Sequence, residues 1–265
     1  MKLFERDYTQ LTDDEYAQWQ ELRGEEVADK LGKFRQSRFR DYPKAVRHFL
    51  SLFPNQYLDI VELKDETCLN SLLDNFRTLL DAPEVNERQI LNFINGKCAY
   101  FIIASILKKY YSFGHHDAFL FREFPLGTSY KVDYFLTGQS SDGWSFVFVE
   151  LEAPNQGITL ANGELGLSFR KGLNQIADWD TWLDANFSSL RETFEKCRNS
   201  TKSLPSEFVT LDKSRIDYVV VAGRRNDFHD KTYNTRRKKR QTSELLLHYD
   251  NVVDAAQDVI GRSTY

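Results

Sequence analysis

The sequence predicts an α+β protein with an α/β core, in which an N-terminal helical region precedes a mixed β-sheet flanked by helices. Three observations predict it. Apolar residues recur at helical spacing through roughly the first hundred positions. After His115 and His116 the period shortens to that of strands. Only 13 Gly and 6 Pro punctuate 265 residues, so the elements between them are long.

The helices come first. Thr12-Asp13-Asp14-Glu15 has the T-x-x-E form of a capping box and opens a helix carrying Tyr16, Trp19 and Leu22. Lys33, Arg35, Arg38, Arg40, Lys44 and Arg47 form a basic stretch broken by Phe34, Phe39 and Tyr42. A solvated helical face beside a core stripe is expected there, with contact to nucleic acid as the alternative. Leu69, Leu72, Leu73, Phe76, Leu79 and Leu80 keep the i, i+3, i+4, i+7 spacing of an amphipathic helix over 68–81, which Pro83 ends. Asn86, with Gln89 three residues on, caps a further helix through Ile90, Leu91, Phe93 and Ile94. Gly96 is expected to interrupt it before a buried helix from Ala99 to Leu107.

The sheet follows. Residues 119–124 and 131–136 read as strands, and Gly138 to Gly143 supplies turn chemistry. The run 144–152 is apolar on both faces until its end, which predicts a central strand covered on both sides. Phe169, Leu173, Ile176, Trp179, Trp182 and Leu183 mark a long helix, and Phe187, Leu190 and Phe194 a second. Residues 216–221 form another buried strand that runs into Gly223-Arg224-Arg225. A shorter strand over 245–249 leads to Asp250 as the expected N-cap of a last helix through Val252, Val253, Ala256, Val259 and Ile260. The chain divides into an N-terminal helical region, 1–85, and a sheet-bearing domain, 86–265.

Charge and cysteine content narrow the function. With 35 Lys+Arg against 39 Asp+Glu the net charge is −4, which argues against a uniformly basic nucleic-acid coat but allows a local patch. Cys68, Cys98 and Cys197 are odd in number and lack a C-x-x-C spacing, so neither a disulfide framework nor a zinc knuckle is indicated. No apolar leader opens the chain and no stretch approaches the roughly 18 apolar residues of a membrane span. A cytoplasmic protein with no membrane partner is the expectation. Nucleotide triphosphatase, zinc protease and serine hydrolase motifs do not occur.

The most informative feature is the end of the central strand. Glu150 and Glu152 lie two apart and share a face that Phe146 and Phe148 would otherwise continue as core. Burying two ionised carboxylates side by side costs several kcal/mol each unless a cation or donors compensate. Folding the preceding hairpin about its turn brings Asp133 beside Glu150, to within a residue or two of register. Three carboxylates then converge, and such oxygen ligands suit Mg²⁺ or Mn²⁺. The bland alternative is an exposed strand end, with Asp133 paired to an arginine.

These residues also carry a resemblance. Val132-Asp133-Tyr134-Phe135, then Phe148-Val149-Glu150-Leu151-Glu152-Ala153-Pro154-Asn155, then a helix with Gln175-Ile176-Ala177-Asp178-Trp179, resembles the D…(D/E)-x-K core of PD-(D/E)XK nucleases. More closely, it is similar to the C-terminal nuclease domain of Shedu anti-phage defence proteins. Val220 to Arg225 resembles that family's strand running into I-G-R-R, and His248 to Val253 its T-Y-D-x-L-L. The resemblance covers about residues 86 to 265 and rests on the order and spacing of its motifs. It implies a restriction-endonuclease-like sheet and metal-dependent cleavage or nicking of DNA in bacterial defence, often by a homo-oligomer. Asp133 and Glu150 would hold Mg²⁺ or Mn²⁺, Glu152 would take the place of the third motif residue, and Gln175 would face the site. Glu152 departs from the lysine of the commonest pattern. A nuclease-fold DNA-binding or sensing protein with weak catalysis is therefore the alternative.

Lys171, four residues before Gln175 on one helical face, is the candidate to supply the missing cation. Glu87 and Glu123 are possible accessory ligands, and His115 and His116 possible acids, bases or phosphate contacts. For DNA, Arg224 and Arg225 at a strand end are phosphate candidates, and Arg236, Arg237, Lys238, Lys239 and Arg240 are expected in a mobile loop that grips the backbone.

Overall fold

A computed structural model describes residues 3–25, 43–111, 113–114 and 116–265. Lys33, Arg35, Arg38 and Arg40 of the basic stretch, and His115, lie outside the described residues. The helices before the sheet are α1 (Asp13–Glu25), α2 (Pro43–Leu50), α3 (Glu66–Leu80), α4 (Glu87–Lys97) and α5 (Phe101–Tyr110). Strands β1 (Asp117–Leu126), β2 (Tyr130–Ser140) and β3 (Gly143–Leu151) follow, then helices α6 (Leu167–Asn186) and α7 (Leu190–Cys197). Strand β4 (Ile216–Val221), helix α8 (Asp230–Arg240), strand β5 (Glu244–Leu247) and helix α9 (Tyr249–Val259) complete the order. The architecture is α+β: a mixed five-stranded sheet flanked by helices.

The two expected capping boxes form. Glu15 and Thr12 exchange hydrogen bonds at the start of α1, and Asn86 and Gln89 do so at the start of α4. Helix α4, however, runs through Gly96. It ends at Cys98, whose left-handed φ of 51° lets the Ala99 amide reach back to the Ile94 carbonyl at 2.9 Å. The N-cap of α9 also differs from expectation. The His248 side chain accepts from the Asn251 amide and caps the helix, which leaves Asp250 inside the first turn and available to arginines.

The strand order is β1-β2-β3-β4-β5, antiparallel from β1 to β3 and parallel from β3 to β5. Strand β3 is central, as its doubly apolar sequence requires. Val147, Val149 and Leu151 enter a core shared with α3, α4, α5 and α9. Phe146 and Phe148 enter the opposite core, built with α6 and α7 and rich in phenylalanine. Leu63, Leu69, Leu73 and Phe76, which precede residue 86, share the first of these cores with the sheet. Helix α6 lies close on β4 because Gly172 has no side chain. A Cβ there would meet Val220 at 2.5 Å.

Arg47, expected on a solvated face, is instead buried between the rings of Tyr8 and Tyr57, with Asp59 3.8 Å away. The three cysteines are free and half-buried. Among the described residues no helix is long and apolar enough to cross a membrane.

Candidate active site

Strand pairing places the first two carboxylates. The β2–β3 ladder runs to Tyr134 opposite Val149, so the next positions are Asp133 and Glu150. Asp133 then takes over the work of the ladder: its Oδ2 accepts a hydrogen bond from the Leu151 amide at 2.8 Å. Glu150 and Glu152 are both buried. Glu150 Oε2 and Glu152 Oε1 are shielded from solvent and have no hydrogen-bond partner.

The edge strand bends at this level. Glu123 falls between the pairs Arg122–Tyr134 and Phe124–Val132, and its φ of 47° lies in the left-handed region. On either side of it the core face changes phase, from Phe119 and Phe121 to Phe124 and Leu126. Glu123 is thereby turned outward to Lys131 at 3.2 Å and does not join the other acids. His116 is also remote. It precedes the β1 end that pairs with Gln139, near the hairpin turn and away from Glu150.

The cation comes from α6. Lys171 Nζ lies 2.9 Å from Glu152 Oε2 and 3.3 Å from Glu87 Oε2, the latter from the first turn of α4. A lysine nineteen positions from its glutamate in sequence thus stands beside it, because Gly172 lets α6 settle on the sheet. The Glu152 backbone is fixed as well: the Tyr249 hydroxyl donates to its carbonyl at 2.7 Å, and its amide donates to the Val221 carbonyl at 2.8 Å. Gln175, one turn beyond Lys171, lines the same cavity of about 800 Å³, together with Glu87, Glu152, Arg170 and Asn174.

The electrostatics follow from this packing. Burial raises the Asp133 pKa most, the Leu151 hydrogen bond opposes it, and the charges of Glu87 and Glu152 add to the rise. Burial also raises Glu150, with Asp133 and Glu152 adding like-charge repulsion. Two acids so close titrate as a pair, and they favour a shared proton or a cation. For Glu152, burial outweighs the lowering by Lys171. Burial alone would lower Lys171, but Glu152 and Glu87 hold it above the ordinary range.

A divalent ion fits this donor set. The orphaned oxygen of Glu150 beside Asp133 offers hard ligands, and Mg²⁺ commonly uses one or two carboxylates with water and substrate phosphate completing its shell. Among the described residues no three Asp, Glu, His or Cys side chains form a ready-made metal cage. One Asp133 oxygen serves Leu151, and Glu152 leans on Lys171.

A profile described as Shedu protein SduA, C-terminal, matches residues 84–253, well over half of the chain. The chain belongs to the Shedu family. Membership points to a defence-related protein. No curated protein matches the sequence. The Shedu-like motif segments prove to be joined in space. Arg224 binds Asp250 through Nε and NH2 at 2.9 to 3.2 Å, and also reaches Asp81 at 2.9 Å and the Leu80 carbonyl at 2.7 Å. The Arg225 amide donates to Asp250 at 2.7 Å, and its guanidinium pairs with Asp254.

The basic run of this Shedu chain is a correction. Residues 235–240 are the second half of helix α8, not a loop. A run of residues without Gly or Pro, begun by Asp230 at its positive end and closed by cations at its negative end, satisfies the helix dipole. Arg236 and Arg240 lie against Tyr110 and Tyr111 at the end of α5, and α5 packs on the sheet face opposite α6. Lys239 pairs with Glu244, Arg240 with Asp217, and Arg237 bonds Asn234. Lys238 is exposed. The run thus meets β4 and β5 at their starts, through Asp217 and Glu244, while Glu150 lies opposite Val220 near the other end of β4, and its arginines turn toward the face of α5. Sequence reasoning missed Arg170 and Asn174, although their i, i+4 spacing beside Lys171 and Gln175 was there to be read.

Proposed function

We propose that the chain is a metal-dependent DNA endonuclease or nickase of anti-phage defence, hydrolysing phosphodiester bonds in the cavity between β3, α4 and α6. The observation that carries this reading is the buried, partnerless Glu150 oxygen beside Asp133, with an ammonium group held at the cavity wall. Asp133 and Glu150 would hold Mg²⁺ or Mn²⁺. When bound, that ion supplies Lewis acidity and a lowered water pKa. Lys171 can donate to a phosphate oxygen, Glu152 can accept a proton from water, and Gln175 can orient either. The work would be done in the cytoplasm, on DNA, by a homo-oligomer.

The second reading, a DNA-binding or sensing protein with weak catalysis, is favoured by one observation: Glu152 is held by Lys171, and no three-ligand cage is formed among the described residues. Supercoiled plasmid incubated with the purified protein and Mg²⁺ or Mn²⁺ decides between them. Conversion to open-circular or linear DNA by the wild type and not by Glu150→Ala supports the nuclease. Binding without conversion under either metal leaves the second reading standing alone.

A further inference from the structure

None of the residues expected to grip DNA lines the cavity, and the structure leaves a different arginine facing it. Arg224 and Arg225 are bound to carboxylates, and the α8 run sits at the far side of the sheet. Arg170 lines the cavity, is exposed, and among the described residues has no hydrogen-bond or ion-pair partner for its guanidinium. Asn174, one turn on, lines the same wall, also without a side-chain partner. The two form a row parallel to Lys171 and Gln175, so α6 presents two i, i+4 pairs to one cavity. The outer row is bounded by Leu167 on one side and Asp178 on the other.

An arginine left without a carboxylate beside a cluster of acids is a poor stability device. It adds no pair to the fold, yet it offers a planar fork matched to phosphate oxygens. Unlike Lys171, whose charge is taken up by Glu152 and Glu87, it brings an unpaired cation to a cavity wall that also carries Asp178. We propose that Arg170, with Asn174 beside it, binds a nucleic-acid backbone phosphate next to the one presented to Asp133 and Glu150. This rests on the nuclease-fold reading above and names the contact that holds the strand there. Such a contact fixes the register of the backbone without reading sequence.

The test is binding of a fluorescently labelled random-sequence DNA duplex by the full chain in EDTA, over a series of salt concentrations. Arg170→Ala is expected to weaken binding about threefold to tenfold and to reduce the slope of log affinity against log salt by about one. Arg170→Glu is expected to weaken it further, while Arg237→Glu, a matched reversal on α8, has a smaller effect. Thermal melts of each variant establish folding. If the wild type binds DNA and Arg170→Glu binds equally well, this inference falls and the nuclease-fold reading stands. An Arg237→Glu loss as large as that of Arg170→Glu also overturns it, because the grip is then not in the cavity. If the wild type binds no duplex and cuts no plasmid, the underlying reading fails first.

Discussion

Two charged regions lie at the same end of the sheet and treat the same residue types in opposite ways. In the arginine cluster, Arg224 uses three nitrogens on Asp250, Asp81 and the Leu80 carbonyl. Burial alone would raise Asp250, but the hydrogen bonds from Arg224 and the Arg225 amide hold it below the ordinary carboxylate range. In the carboxylate cleft, Asp133, Glu150 and Glu152 are all raised, and two buried oxygens have no donor. The first region is complete by itself, and its charges stabilise the fold. The second is incomplete, and burying its acids costs stability. That asymmetry separates scaffold from candidate site where sequence motifs alone mark both.

The largest effect is expected at the incomplete region. Glu150→Ala removes the buried partner of Asp133, so Mn²⁺ binding measured by calorimetric titration is expected to disappear, and plasmid cleavage to fall on the order of 10³-fold or more. Equal Mn²⁺ binding by wild type and variant would show that the ligands lie elsewhere. The comparison is sharper in stability. Without metal, Glu150→Gln is expected to raise the melting temperature, since it removes an acid whose ionisation burial opposes. Asp250→Ala should do the reverse. It strips Arg224 of its main partner and is expected to cost about 3 kcal/mol in denaturant unfolding, a figure kept low because the pair is partly solvated. Should Glu150→Gln lower stability as Asp250→Ala does, the cleft is a satisfied network and the contrast is wrong.

Gly172→Ala tests how the cleft is assembled. Its added methyl meets Val220 and pushes α6 from β4, at an expected cost of about 2 kcal/mol. Lys171 and Gln175 ride on that helix, so DNA binding and cleavage should fall further than a change in Tm explains. An unchanged melting curve would mean that α6 can shift at no cost, and that its approach to the sheet does not position Lys171.

Much of this site was legible because it is written in local rules. The two-residue spacing of Glu150 and Glu152 fixes their common face, hairpin arithmetic brings Asp133 opposite Glu150, and a four-residue step unites Lys171 with Gln175. The fold was legible for the same reason, from the period change after His116 to the doubly apolar β3. What could not be read depends on contacts distant in sequence. A run of arginine and lysine after a strand gives no sign of which face it will occupy, and tyrosines at the end of α5 decide it. Asp250 looks like an N-cap because Asp commonly is one, but His248 reaches the Asn251 amide first and frees Asp250 for Arg224. Arg47 looks solvated by charge and is buried by Tyr8 and Tyr57.

The smallest predicted effect concerns that same cap and divides the two regions by pH. Burial, partly opposed by Asp250, pulls His248 down to about 4 from its ordinary 6.5. As pH falls the unfolded chain takes up this proton before the folded one does. The stability contributed by neutral His248 is therefore complete above about pH 6.5 and is lost as pH drops toward 4, by about 1 kcal/mol between pH 7 and 5.5. The raised carboxylates of the cleft act with the opposite sign, since the folded state holds their protons longer and gains stability as pH falls. His248→Asn keeps a capping oxygen and removes the titration. Its unfolding free energy, followed in denaturant without metal, should therefore rise relative to the wild type as the solution is acidified from pH 7 to 5.5. Parallel pH curves for the two proteins would mean that His248 is protonated in the folded state as easily as in the unfolded one, and that its buried cap carries no pH-dependent share of the scaffold's stability.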